Sequence, residues 1–157
     1  MTKRVPCVDV GWIRRLLDSH ALWLKRELID RSGNIEAQSE RLFLARFAVA
    51  SHLDSADPIL NYGNRQALDL WESTWEEFTA TPSRLTAEPV VREERARMLR
   101  RVTERGFVDD YRGVRISRTG RRFLVLHATV WNVLDERGSR LGQAVAFSDW
   151  RPLAPHG

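Results

Sequence analysis

Asp57-Pro-Ile-Leu-Asn-Tyr-Gly-Asn-Arg-Gln-Ala-Leu-Asp-Leu-Trp-Glu-Ser-Thr-Trp-Glu-Glu-Phe78 is the stretch whose reading decides the fold. Ser55 to Pro58 turn the chain, and Ile59 to Tyr62 form a short apolar strand ending at Gly63. Asn64 is the residue type that caps a helix, because its side-chain oxygen can accept from one of the first, otherwise unpaired, backbone N–H groups. Ala67, Leu68 and Trp71 then face inward at helical spacing. Thr74-Trp-Glu-Glu77 has the Thr-x-x-Glu form of a capping box. A second helix therefore restarts at Trp75, carries Phe78 inward and stops before Pro82.

Toward the N-terminus, residues 9–29 place Val10, Ile13, Leu17, Ala21, Leu24 and Leu28 at three- and four-residue spacings, with Arg14, Arg15, Asp18 and Lys25 off that stripe. This predicts an amphipathic helix whose apolar face needs a partner, closed by Ser32-Gly33-Asn34. A shorter helix over 35–44 leads into Phe47 to Ser51, a buried strand. Toward the C-terminus, Pro89 is preset for the first turn of a longer helix with Val91, Met98, Leu99 and Val102 inward and Gly106 as its stop. Its outer face mixes Arg97, Arg101 and Arg105 with Glu93, Glu94 and Glu104, the pattern of a solvated helix. From Phe107 the period becomes two. Residues 111–117, 123–134 and 141–147 read as strands joined by short turns at Gly120 and Gly138. The fold class is α+β: a five-stranded antiparallel sheet with helices on one face, preceded by the N-terminal amphipathic helix.

The whole chain is 157 residues, with 25 Lys+Arg against 21 Asp+Glu. Such a length suits one domain, or one domain with an appendage, and buries roughly 68–70% of its unfolded surface without disulfides or a structural metal. The single Cys7 cannot form an internal disulfide, which favours a reducing compartment. Of the basic residues 23 are Arg and 2 are Lys. That bias reads either as a phosphate-binding surface or as scattered guanidinium on a solvated face; the interleaved acids favour the second and make nucleic acid an unlikely partner. The N-terminus lacks the apolar segment of a signal peptide, and the apolar runs are too short to span a bilayer. The expectation is a cytoplasmic protein with no membrane partner.

The order strand, strand, short helices, longer helix and three-stranded meander resembles the PAS fold. Four segments are similar to the bacterial stand-alone proteins of the MEKHLA family, a PAS-related family also found at the C-terminus of class III homeodomain-leucine-zipper transcription factors in plants. They are Asp57 to Asn64, Thr74-Trp-Glu-Glu-Phe-Thr-Ala-Thr-Pro-Ser-Arg-Leu-Thr-Ala-Glu-Pro89, Gly106-Phe-Val-Asp-Asp-Tyr111 and Ala128-Thr-Val-Trp-Asn132. The resemblance covers residues 41–150, leaving 1–40 as an N-terminal helical segment and 151–157 as a tail. It implies a sensory or interaction module that binds a protein partner or encloses a small-molecule ligand between sheet and helices, with an N-terminal helix that mediates homodimerisation. Flavin-binding relatives carry a Cys in the helices after the second strand, and haem-binding ones commonly a His on the longer helix. Residues 64–105 contain neither, so cysteinyl-linked flavin and haem are disfavoured and the cofactor is left unknown.

Alternation along the central strand puts His127, Thr129 and Trp131 on the face of Phe123 and Val125. The row reads either as ligand recognition, apolar with a few polar groups, or as a filled core whose polar groups satisfy one another. With Tyr62 at the end of the short strand, these are the candidate pocket residues. Leu124, Leu126, Ala128 and Val130 would form the opposite face, covered by the N-terminal helix or by a second chain; Ile13, Leu17, Leu24, Leu124 and Leu126 are the candidate dimer interface. No catalytic residue is assigned and no His, Cys or carboxylate spacing suits a metal. The alternatives are a small enzyme using the cavity with His127 as acid or base, and a basic nucleic-acid-associated regulator.

Overall fold

The computed structural model describes residue 6, residues 8–88 and residues 92–154; Cys7, Pro89, Val91 and His156 lie outside them. Helix α1 (Val10–Leu24) begins where the Asp9 carboxylate accepts from the backbone N–H groups of Gly11 and Trp12. It ends earlier than its apolar spacing suggests, because Lys25 turns left-handed at φ 59° and returns its N–H to Ala21. The loop that follows is held by Arg31, whose guanidinium donates to Asp18, Glu27 and Gln38. Asn34 caps α2 (Ile35–Phe43).

Strands β1 (Ala48–Leu53) and β2 (Leu60–Gly63) follow as an antiparallel pair. Asn64 and Thr74 then cap α3 (Arg65–Leu70) and α4 (Trp75–Phe78), the second through a complete capping box. Asn64 is fully buried and does more than cap. Its side-chain oxygen accepts from Val49 N–H and Ala67 N–H, while its amide donates to the carbonyls of Leu42 and Phe47. It thereby ties the end of α2, the start of β1 and the start of α3 at one point. A 3-10 turn (Ser83–Thr86) that the sequence pattern does not announce precedes α5 (Arg92–Arg105), which Gly106 stops at φ 97°.

Strands β3 (Phe107–Ile116), β4 (Arg122–Leu134), β5 (Arg140–Phe147) and β6 (Asp149–Pro152) complete a sheet ordered β2-β1-β5-β4-β3, every pairing antiparallel. The sheet has six strands, one more than expected. After Phe147 the chain breaks step and returns as β6 alongside the first half of β4, pairing Phe123 with Pro152 and Leu126 with Asp149, while the second half of β4 pairs with β5. The break falls at His127, whose φ of 52° is uncommon for a residue with a Cβ. Because successive side chains in a strand point to opposite faces, one irregular residue inverts every later assignment. Phe123, Val125 and Ala128 share one core, Val130 lies with α5, and Trp131 and Val133 pack on the other side. The expected row of Phe123, Val125, His127, Thr129 and Trp131 therefore does not exist.

The two faces have different covers. On the outer face α1 lays Trp12, Ile13, Leu16 and Leu17 over Val49, Trp131, Val133, Ala144 and Ala146. Burying each large aliphatic side chain there contributes about 1.5–3 kcal/mol. Trp131 donates its indole N–H to the carbonyl of Leu16, and Trp12 donates to the hydroxyl of Ser51, so both bulky aromatics enter without an unpaired N–H. Ile13 and Leu17 are completely buried within the single chain. This corrects their expected place at a dimer interface: the partner that the amphipathic face needs is the chain's own sheet. Leu24 and Leu124 are partly exposed and Leu126 is buried. The inner face is covered by α3, α4, the 3-10 turn and α5.

A candidate ligand cavity between the sheet and its helices

A cavity of about 60 Å³ lies between the inner face and its helices. Its floor comes from Ala50 and His52 of β1, Val125 and Val130 of β4, and Gln143, Val145 and Phe147 of β5. Trp71 and Phe78, presented by the two capped short helices, close one side; Met98 and Leu99 of α5 close another. The aromatic wall is interlocked. Trp71 makes edge contacts with Phe123 and Phe147 at ring-centroid distances of 5.2 and 5.9 Å. The space accepts a ligand of a few non-hydrogen atoms; sites for drug-sized ligands run to roughly 300–1,000 Å³.

The polar groups on this wall are few and specific. Arg115 projects inward from β3, only 7% exposed, and donates to the Tyr111 hydroxyl and to the carbonyl of Val114. Its carbon Cζ stands 5.0 Å from the Tyr111 ring centroid. Gly113 between them leaves room for both ends: a Cβ there would sit 2.3 Å from the Tyr111 hydroxyl oxygen and 3.1 Å from Arg115 Nη1, so the two side-chain tips would have to shift. Arg95 reaches in from α5 and donates to the hydroxyl of Ser83. Loss of solvation, reinforced by the Arg115 charge, lowers its pKa to about 10.

His52 and Gln143 are directly opposite each other on β1 and β5. His52 Nδ1 lies 3.2 Å from the carbonyl of Leu53, which can only accept, so the proton is on Nδ1 and Nε2 is left as an acceptor. Burial lowers the His52 pKa and keeps the ring neutral. Gln143 is oriented by donating its amide to Asn132 and to the carbonyl of Leu99. His52 Nε2, Gln143 Oε1 and Trp71 Nε1 are buried without a hydrogen-bond partner within the protein.

None of the four expected pocket residues lines this cavity. His127 is 79% exposed in its side chain, 3.9 Å from Asp149, because the bulge turns it out of the sheet; it cannot act as an acid or base inside. Thr129 is only partly buried. Trp131 and Tyr62 are buried in the outer core, with the Tyr62 ring edge-on to Trp75 at 5.7 Å. Burial raises the Tyr62 pKa, and its hydroxyl has no partner within the protein. Arg95, by contrast, occupies the apolar stripe of α5, three residues before Met98, four before Leu99 and seven before Val102. An arginine in the middle of that stripe was the available signal. For Arg115 alternation with Tyr111 indicates a shared face but not which face.

The MEKHLA domain family model matches residues 10–152, from the start of α1 to the end of β6. The chain belongs to the MEKHLA family. The match takes in α1, which shares one core with the sheet. This MEKHLA domain has a PAS-like fold, and solved structures resemble it at low identity. The PAS domain of a protein from Colwellia psychrerythraea has a TM-score of 0.64 at 12% identity, over 76% of this chain and 96% of that one. A light-oxygen-voltage domain studied with a flavin analogue gives a TM-score of 0.59 at 14% identity, over 75% and 85% of the two chains. An RNA-binding light-oxygen-voltage receptor gives 0.61 at 17% identity, over 76% of this chain and 34% of that one. No curated protein matches this chain in sequence. Among the described residues no helix is long and apolar enough to cross a membrane, and no cluster of metal-ligand side chains occurs.

Proposed function

We propose that the domain is a sensor that binds a small molecule in the cavity under α3, α4 and α5. The observation that carries this reading is the set of buried, unpartnered polar atoms on His52, Gln143 and Trp71 around an apolar cavity. A buried polar group without a partner costs about 1–3 kcal/mol, and a ligand that supplies the partners removes that cost. Binding would then shift α5 and the neighbouring sheet toward the ligand-compatible arrangement only as far as the ligand's differential affinity for the two states allows. The reading needs no dimer through Ile13 and Leu17 and no catalytic group.

Native mass spectrometry of the purified full chain tests it, by reporting any retained mass. Ala50→Val places two further carbon atoms in the cavity, and the expected result is loss of the retained mass from a protein that is still folded. Retention undiminished in that variant would place the ligand elsewhere and overturn the reading.

A further inference from the structure

Arg95 and Arg115 set this cavity apart from the rest of the protein's charge. Arg15, Arg31, Arg84, Arg118, Arg121, Arg122 and Arg140 each face a carboxylate. No Asp or Glu lines the cavity, and among the described residues neither Arg95 nor Arg115 makes an ion pair; their partners are hydroxyls and a carbonyl. A guanidinium remains charged when buried, and buried charges are ordinarily paired. Here two like charges are held near one another by α5 and β3, close enough that Arg115 depresses the pKa of Arg95. An anion bound by both would remove the repulsion and satisfy their free N–H donors, and a carboxylate matches the guanidinium fork.

We propose that the cavity takes a small hydroxycarboxylate, its carboxylate bound by Arg95 and Arg115 and its hydroxyl donating its one proton to one of the cross-strand acceptors, His52 Nε2 or Gln143 Oε1. This inference rests on the reading of the cavity as the ligand site. Size and lining decide among anions. A volume of about 60 Å³ holds about four to six water-sized atoms, and Leu60, Phe78, Val125 and Phe147 make much of the wall apolar. A carboxylate on a short carbon chain fits that description better than a multiply charged phosphate. The hydroxyl follows from the orphan acceptors, at least one of which it can serve with a donor that a plain carboxylate lacks.

Thermal unfolding of the full chain at matched ionic strength, with sodium lactate, glycolate or 3-hydroxybutyrate, with uncharged lactamide, and with inorganic phosphate, tests the proposal. At a hundredfold excess over Kd, at least one hydroxycarboxylate should raise Tm by about 5 °C or more, with lactamide and phosphate inert. Arg95→Met and Arg115→Met should lose that rise. Should either fail to fold, Arg115→Lys, which keeps the charge but not the fork, should weaken binding at least tenfold. Equal stabilisation by lactamide would overturn the anion while leaving the ligand cavity standing. Phosphate acting in place of the hydroxycarboxylates would keep the arginine pair and overturn the carboxylate. No rise with any hydroxycarboxylate, or a rise that survives in the arginine variants, overturns the inference. Loss of retained ligand in Ala50→Val would then still uphold the cavity.

Discussion

The two faces of the sheet bury comparable elements and do different work. On the outer face α1 meets β4 and β5 through buried side chains, and the indoles of Trp12, Trp23 and Trp131 are all hydrogen-bonded, although the Tyr62 hydroxyl there has no partner within the protein. On the inner face, a cavity remains beside two arginines without carboxylates and three orphan polar atoms. Close packing and satisfied polar groups are what stability favours; a region that departs from both within the same sheet is where binding is to be sought. The difference teaches that the helix expected to assemble two chains instead completes the fold of one.

The largest effect that could break this comparison is on the dry side. Trp131→Ala should cost about 3–5 kcal/mol, read from the midpoint of urea unfolding. A loss below about 1.5 kcal/mol would mean that the outer core is not tightly packed. A matched pair sharpens the contrast. Ala146→Val overfills the outer core and should cost about 1–3 kcal/mol, whereas Ala50→Val enters the cavity and should change stability by less than 1.5 kcal/mol. Equal losses by chemical denaturation would erase the distinction between the faces.

Titration addresses both sides together. His20, edge-on to Trp131 in the outer core, and His52 on the cavity wall both have pKa values lowered from the ordinary 6.5, chiefly by burial. They stay neutral in the fold and protonate first in the unfolded chain, so the unfolded state binds more protons as pH falls. Stability should be fully present above about pH 6.5 and should decline below it. Replacing either ring by a non-titrating one, as in His20→Phe or His52→Gln, should flatten part of that decline in denaturation curves collected from pH 8 to 5. An unchanged slope in both would show that neither ring is held neutral. The smallest effect belongs to His127→Gly, which removes the left-handed strain and should stabilise by about 1 kcal/mol, leaving ligand retention as it was. Lost retention would return His127 to the site.

Much of the fold was legible because it is written in local chemistry. Asn64, Thr74 and Glu77 announce their caps, and Gly106, Gly120 and Gly138 stand where φ is positive. The site was less legible, for one specific reason. The reading of β4 depended on unbroken alternation, and nothing about a histidine announces a bulge, since glycine is the residue that usually marks one. The error at His127 then carried Trp131 and Thr129 to the wrong face with it. Arg95 was visible as a charge in an apolar stripe, but a stripe does not say whether a cavity or a filled core lies beneath.

Composition, capping and periodicity thus determined the α+β order, the short capped helices and the amphipathic character of α1, because each is set by interactions within a few residues. The net charge of +4 conveyed little, since what matters is which arginines lack a carboxylate, and that depends on neighbours far apart in the chain. Only the tertiary structure decided that α1 folds onto its own sheet, that β6 returns beside β4, and that His52, Arg95, Arg115 and Gln143 converge. Those outcomes depend on strand register and on long-range packing, which a shift of one residue inverts.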